Sequence, residues 1–158
     1  MSFKSGERAF YPSHGLVEVI GEQSCVLAGK PVACYRLKII LSGAYVIVPV
    51  SGCQKVGMRR LIDETNLPEI YEVLKKEPSL RKGVWNKRQR EFMQLLRDGH
   101  LPDIAALYRD LFFLKNKKEL SYGEKRIFSV AEEFLASEIS FVLQKEVESV
   151  RDHLKSFC

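Results

Sequence analysis

The chain has 158 residues, of which 46% are hydrophobic and 28% are charged, and its formal net charge is +5. This size and composition predict a globular protein with one core or two small ones and argue against a disordered chain. No apolar run approaches the roughly 18 residues of a membrane helix, and the N-terminal MSFKSGERAF lacks the apolar centre of a signal peptide. We therefore expect a cytoplasmic protein without membrane contact.

The first 62 residues have the pattern of short β-strands. Apolar residues alternate or form β-branched runs in GLVEVIGE, CYRLKIIL and AYVIVPV, which the turn-like segments AGKP and LSG separate. About five such strands, with glycines that allow tight turns, predict a small, strongly bent antiparallel β-barrel. Pro49 cannot donate a hydrogen bond to a central ladder, so we expect AYVIVP to lie at a sheet edge.

From residue 63 onward the apolar period changes to that of helices. LPEIYEVLKK and EFMQLLRDG predict two helices, the second ending at Gly99, and Pro102 suits the first turn of a third. Ser121 and Glu124 have the spacing of a capping box. The fourth helix, which this box would open, is expected to reach about His153.

The two segments predict an α+β fold class, with a β domain at residues 1–62 and a helical domain at 63–158. The β domain holds eight Lys or Arg against three acidic residues, whereas the helical domain holds 17 of each. In the helical domain positive charge gathers at 75–90, 115–118 and 125–126. Such runs are usually solvated faces, but several in one neutral domain can form a phosphate-facing side, and both interpretations stay open.

The cysteines and histidines show no spacing typical of a zinc site or a nucleophile. The cysteines lie at positions 25, 34, 53 and 158, without a CxxC pair, and the histidines at 14, 100 and 153. We expect reduced thiols, with Cys25 and Cys34 buried in strands, and no catalytic residue, metal or cofactor. The alternative, a thiol-dependent enzyme, would require Cys25, Cys34 or Cys53 to be exposed beside a histidine.

The basic run KKEPSLRKGVWNKRQR contains the only tryptophan of the chain. Cations neutralise phosphates and an indole can stack on a base. The run therefore supplies four candidate nucleic-acid contacts: Trp85, Lys87, Arg88 and Arg90. Trp85 can instead be a partly buried anchor ahead of a helix capped by Asn86. A hydrophobic staple would support the anchor, but it needs an apolar residue at position 90, where the chain has an arginine. The sequence therefore does not decide between a nucleic-acid contact and an anchor.

A further candidate lies at the predicted start of the fourth helix, in SYGEKR. Free backbone N–H groups, a glycine without side-chain bulk, and the cations Lys125 and Arg126 can together form a phosphate cradle. The same residues also suit an ordinary capped helix with exposed cations. Both interpretations stay open here as well.

Six segments together resemble the CarD/CdnL family of bacterial transcription regulators. In chain order they are GERAFYPSHGLVEVIGE, CYRLKI, VPVSGCQKVGMRRLI, the tryptophan with its basic residues, RDGHLPDIAALYRDLFF and LSYGEKRIFSVAEEFLASEI. Their order and spacing extend the resemblance to about residue 143. The β half also resembles the RNA-polymerase-interacting domain of transcription-repair coupling factors, which implies a Tudor-like barrel.

The resemblance implies an adaptor with two partners and no enzymatic activity. In the family the barrel binds the β subunit of RNA polymerase, largely by pairing of an edge strand. Matched by position, Ile47, Val48 and Pro49 belong to that strand, with Arg36 as a basic neighbour. Some family members have an arginine where this chain has Ile47, so one side-chain contact with polymerase differs.

The helical domain of the family rests on promoter DNA at the upstream edge of the melted bubble. There Trp85 would enter the minor groove as a wedge, and Arg88, Arg90 and Lys125 match basic positions near the phosphates. The resemblance thus implies a regulator, associated with the nucleoid through polymerase, that stabilises the open promoter complex. We expect a monomer, although the sequence leaves the oligomeric state open. The alternative is a free-standing, sequence-nonspecific nucleic-acid-binding module that acts without polymerase.

Overall fold

The structure, a computed structural model, describes residues 2–78 and 85–158, and for 85–87 the backbone alone. The chain divides into two compact units, Met1–Leu61 and Ile62–Cys158. The first contains a five-stranded antiparallel sheet and the second contains five α-helices. The predicted α+β fold class is therefore confirmed.

The strands lie side by side in the order β4-β3-β2-β1-β5. Their bounds are β1 (Arg8–Tyr11), β2 (Gly15–Leu27), β3 (Lys30–Ile39), β4 (Tyr45–Pro49) and β5 (Arg59–Arg60). β2 and β3 are longer than the predicted short strands, because polar residues 22–24 continue the ladder as far as the pair Leu27 and Lys30. The hairpin turns through Ala28 and Gly29, both at positive φ, as a type I′ turn requires.

The sheet bends around one core. The register between β2 and β3 shifts between Val19 and Gly21, and a bulge of this kind increases the local twist. The core includes side chains from four strands and from the segment after β4: Ala9, Val17, Val19, Tyr35, Leu37, Val48, Cys53 and Met58. Because strands from β4 across to β1 share this core, the sheet curls on itself. In the described part of the chain β4 and β5 remain its two edges.

The helices of the second unit are α1 (Leu67–Lys75), α2 (Trp85–Asp98), α3 (Leu101–Lys117), α4 (Tyr122–Leu143) and α5 (Val147–Phe157). Gly99, at φ 71°, follows the end of α2, and Pro102 lies in the first turn of α3, as predicted. α2 already begins at Trp85, so the predicted N-cap at Asn86 is wrong. Among the described residues no helix combines the length and apolar character needed to cross a bilayer.

The predicted fourth helix is in fact two helices. α4 begins at the predicted capping box but ends at Leu143, and Gln144, which follows it, has a left-handed φ of 53°. The Gln144 N–H donates to the Phe141 carbonyl (3.3 Å) and the Lys145 N–H to the Ser140 carbonyl (3.1 Å), which closes the last turn. Because neither Gly nor Pro follows α4 at this point, the helical spacing of apolar residues in the sequence predicted one continuous helix.

Two of the four cysteines form a disulfide. Cys25 pairs with Cys34 at a Cα–Cα distance of 6.4 Å, so the prediction of reduced thiols is wrong for these two. In the ladder Cys25 lies opposite Val32 and Cys34 opposite Gln23, which makes the cysteines diagonal neighbours on one face of the hairpin. Cys53 is a free thiol in the core, and burial raises its pKa.

Candidate functional site

Strand β4 forms one edge of the sheet in the N-terminal unit. Ile39 of β3 donates its N–H to the Ala44 carbonyl (2.8 Å). Since alternate residues of an antiparallel strand direct their polar groups to the same neighbour, the pairs at Val46 and Val48 exchange the ladder bonds with β3. Ile47, between them, then directs its N–H and C=O to the free edge, where another strand can bond to them.

The same alternation explains how a proline is accommodated in β4. Pro49 follows Ile47 by two residues, so its nitrogen faces the free edge and no ladder bond to β3 is lost. β4 is bonded only to β3 in the described sheet. The predicted edge position of AYVIVP is therefore confirmed.

The outer face of β3 and β4 carries three exposed side chains. Ile47 is 50% exposed and Tyr45 52%, and the guanidinium carbon of Arg36 lies 4.3 Å from the centroid of the Tyr45 ring. Arg36 lies directly opposite Ile47 in the ladder. Tyr45 was not among the predicted contacts, although its spacing of two residues from Ile47 is the signal that places both on one face.

Val48 takes a different position from the other predicted polymerase contacts. Its side chain is 3% exposed and belongs to the core cluster. Because successive residues of a strand point to opposite faces, Val48 cannot present its side chain on the face that displays Ile47. Pro49 is half-buried, and its carbonyl accepts a hydrogen bond from the Cys53 thiol (3.5 Å).

In the helical unit an ion pair joins the start of α2 to the start of α4. One Arg88 guanidinium nitrogen lies 3.4 Å from a Glu124 carboxylate oxygen, and Glu124 is 3% exposed. The other Glu124 oxygen accepts the Ser121 N–H (2.9 Å), while Ser121 Oγ accepts the Glu124 N–H (3.2 Å). One carboxylate therefore caps α4 and holds α2 beside it, an arrangement we call the Arg88–Glu124 clamp.

The clamp depends on the ionised form of Glu124. Burial opposes ionisation, but the hydrogen bonds with Ser121, together with the nearby cations Lys118 and Arg88, outweigh it and hold the pKa of Glu124 below its ordinary value. The side chain of Arg88 is only 24% exposed. The structure thus places Arg88, predicted as a phosphate contact, in the connection between the two helices.

Three other predicted contacts lie on the surface. Arg90, Lys125 and Arg126 are all exposed. Lys125 Nζ lies 3.2 Å from a Glu119 oxygen, but both groups are well exposed, and such pairs contribute only about 0–1 kcal/mol. Because the clamp sets the first turns of α2 and α4 side by side, these cations belong to neighbouring helix starts. We call the exposed set Arg90, Lys125 and Arg126 the surface cations.

Two predicted contacts are not tested by the structure. Trp85 and Lys87 belong to the first turn of α2, but their side chains lie outside the described residues. Their roles therefore stay predictions. Tyr122, the first residue of α4, was not among the predicted contacts, although it is 83% exposed.

Comparison with known proteins identifies the family. Residues 69–155, more than half of the chain, match the family described as CarD, C-terminal domain. The chain belongs to the CarD family. It is 26% identical over 152 residues to "Putative transcription factor YdeB" of Bacillus subtilis (strain 168), which covers 93% of this chain and 98% of that protein. A solved structure of CdnLNt from Myxococcus xanthus is 36% identical, covers 40% of this chain and 90% of that one, and has a TM-score of 0.34.

The CarD-family match extends beyond the resemblance found in the sequence, which ended near residue 143. It includes almost all of α5, so the C-terminal segment is part of the family domain. Val150 and Leu154 of α5 are buried, and Arg151 pairs with Glu132, Glu133 and Glu148. α5 is thus a packed helix of the domain and is anchored to α4 by charge.

The thiol chemistry that an alternative interpretation required is not present at the cysteines it named. Cys25 and Cys34 are joined to each other, and Cys53 is 1% exposed with a raised pKa. A nucleophilic cysteine needs a lowered pKa and access to substrate. In the described ranges no group of three or more metal-ligating side chains comes together either.

Proposed function

We propose that this CarD-family protein binds the β subunit of RNA polymerase through β4 and stabilises the open promoter complex through the starts of α2 and α4. The observation that carries the proposal is that one chain presents two different surfaces on two units. One is a strand edge with outward N–H and C=O groups at Ile47, and the other is the pair of neighbouring helix starts that carries the surface cations. The first suits a protein strand and the second suits phosphates.

At the polymerase arm, recognition would come mainly from the main chain. A strand added to the free edge of β4 bonds to the outward groups of Ile47, and this makes few demands on side chains. Ile47, Tyr45 and Arg36 would then contact the partner from the outer face. Such a division would allow a chain with Ile47, where some relatives have an arginine, to bind the same partner.

At the DNA arm, Arg90, Lys125 and Arg126 would neutralise phosphates and orient the helices without reading sequence. Trp85 would insert at the edge of the bubble, where an indole stacks more favourably on unstacked bases than it can against closed duplex. Only such a difference between the two states shifts their equilibrium. Base stacking is worth about 1–3 kcal/mol, and 1.4 kcal/mol is about tenfold in the ratio of open to closed promoter.

The central experiment compares wild type with Trp85→Ala in two assays. Retention on the isolated polymerase β lobe should be unchanged, because β4 is intact. The lifetime of the open complex on a weak promoter, followed by permanganate footprinting of melted thymines, should shorten several-fold or more. Trp85→Phe serves as the control that keeps a flat ring and should be less affected.

Charge variants separate phosphate contacts from general charge effects. Arg126→Ala should weaken promoter binding and reduce its salt dependence, whereas Lys145→Ala, which removes an exposed cation at the far end of α4, should not. A Trp85→Ala protein with full open-complex lifetime would contradict the wedge. Strong salt-sensitive binding to any duplex, with no retention on the β lobe, would instead support the free-standing module.

A further inference from the structure

Tyr122 places a large aromatic ring in solvent beside two cations. Its exposure of 83% is the highest among the large hydrophobic side chains in the described part of the chain. Lys125 and Arg126 follow it by three and four residues on α4, which puts all three on one side of the helix. A tyrosine has only two side-chain torsions, so it offers a flat surface that loses little conformational freedom on binding.

The backbone that carries Tyr122 is held firmly. It lies between Ser121 and Glu124, the two residues that complete the capping box, and Glu124 is buried and paired with Arg88. The ring therefore projects from a fixed helix start and not from a loop. The Arg88–Glu124 clamp joins this helix start to the start of α2.

We propose that Tyr122 is a second stacking residue for the promoter, which packs against an unpaired base while Lys125 and Arg126 contact the adjoining phosphates. The inference rests on the proposed function and names a further contact of the same interface. Single-stranded nucleic acid fits these side chains because it combines π-faces with regularly spaced negative charge, the combination for which aromatic and cationic residues form a matching surface. Positive charge is also clustered in the chain just before α4, at Lys115, Lys117 and Lys118, and a net positive surrounding favours such a polyanion.

The test measures binding of the full chain to two DNA probes by fluorescence anisotropy. One probe is a fork in which part of the duplex is unpaired, and the other is the same sequence fully paired. Tyr122→Ala should weaken binding to the fork by about 5- to 150-fold and binding to the paired probe by less, because stacking requires an accessible base face. Tyr122→Phe should bind like wild type, since the ring remains.

Two controls keep the test specific. The salt dependence of binding should be unchanged in Tyr122→Ala, which removes no charge, and reduced in Arg126→Ala. Phe141→Ala, which removes an aromatic side chain that is 39% exposed in the last turn of the same helix, should leave fork binding unchanged. Retention on the polymerase β lobe is measured for every variant.

Several outcomes would overturn the inference. The first is that Tyr122→Ala binds the fork as tightly as wild type. The second is that Tyr122→Phe loses as much fork binding as Tyr122→Ala, which would indicate a contact through the hydroxyl. The third is that Tyr122→Ala loses only retention on the β lobe, which would indicate that the residue contacts protein. If Trp85→Ala loses the preference for the fork while Tyr122→Ala keeps it, the role of Tyr122 fails and the proposed function stands. If wild type shows no preference for the fork, the DNA arm of the proposed function fails as well.

Discussion

Replacing Glu124 with glutamine tests whether the Arg88–Glu124 clamp holds α2 in place. Glutamine at this capping-box position can still accept the Ser121 N–H, so the cap of α4 is retained. What disappears is the negative charge that faces Arg88 at 3.4 Å and attracts Lys118. The substitution therefore separates the ionic role of Glu124 from its capping role.

The expected loss lies between that of a surface pair and that of a buried pair. Exposed ion pairs contribute about 0–1 kcal/mol, and breaking a fully buried pair costs about 3–5 kcal/mol. Glu124 is 3% exposed but the Arg88 side chain is 24% exposed, so water can partly solvate the Arg88 guanidinium. We expect Glu124→Gln to lower the free energy of unfolding by about 1–2 kcal/mol. Glu124→Ala, which also removes the cap, should cost about 0.5–2 kcal/mol more.

The stability difference should depend on pH with a definite sign. The pKa of Glu124 is lowered in the folded chain, so its ionised form stabilises the fold above the pKa of the unfolded state, about 4.3. This contribution is lost as the pH falls through the folded pKa. The difference in free energy of unfolding between wild type and Glu124→Gln should therefore be constant around neutrality, from about pH 6 to about pH 8. It should shrink below about pH 4.

Urea unfolding followed by circular dichroism measures these values, and Glu119→Gln is the matched control because Glu119 is 86% exposed in its side chain. Open-complex lifetime should also fall in Glu124→Gln, since the start of α2 carries Trp85. A variant as stable as wild type at neutral pH would refute the clamp. A difference that persists unchanged in acid would show that something other than the carboxylate charge is responsible.

Three further predictions concern the fold. Gln144→Gly should raise stability by up to about 1 kcal/mol in thermal unfolding, because Gln144 occupies a left-handed conformation that favours glycine. Arg151→Ala should lower it by about 1–3 kcal/mol by removing the ion pairs with Glu132 and Glu133 that anchor α5 to α4, whereas Lys155→Ala, which removes an exposed cation on the same helix, should not. Reduction should make Cys25 and Cys34 available to an alkylating reagent, as mass spectrometry would detect, and should destabilise the first unit by about 2–3 kcal/mol.

Features with a local cause were predictable from the sequence. The capping box at Ser121 and Glu124 depends on residues three apart, and Gly99 and Pro102 act on their own backbone. The edge position of Pro49 follows from the missing N–H alone. The exposure of Lys125 and Arg126 likewise follows from their place in the first turn of an amphipathic helix.

Features that depend on distant residues were not predictable. Arg88 and Glu124 are 36 residues apart, so nothing in either segment showed that the predicted phosphate contact would be paired inside the protein. The disulfide required the register of β2 and β3, which brings Cys25 and Cys34 to diagonal positions. The end of α4 depends on a left-handed Gln144, a conformation that glutamine adopts only when the surrounding structure imposes it.

Ile47 allows the main-chain and side-chain contributions at β4 to be separated. Ile47→Pro removes the outward N–H but no ladder bond to β3, a situation that the native Pro49 already tolerates two residues further on. Ile47→Ala keeps the N–H and removes most of the side chain. If polymerase pairs with the edge, Ile47→Pro should weaken binding to the β lobe by about tenfold, since one net hydrogen bond is worth about 0.5–1.5 kcal/mol and the ring also obstructs the incoming strand. Ile47→Ala should then cost less, with both variants unfolding like wild type. Equal losses in the two variants would assign the contact to the isoleucine side chain and contradict strand pairing.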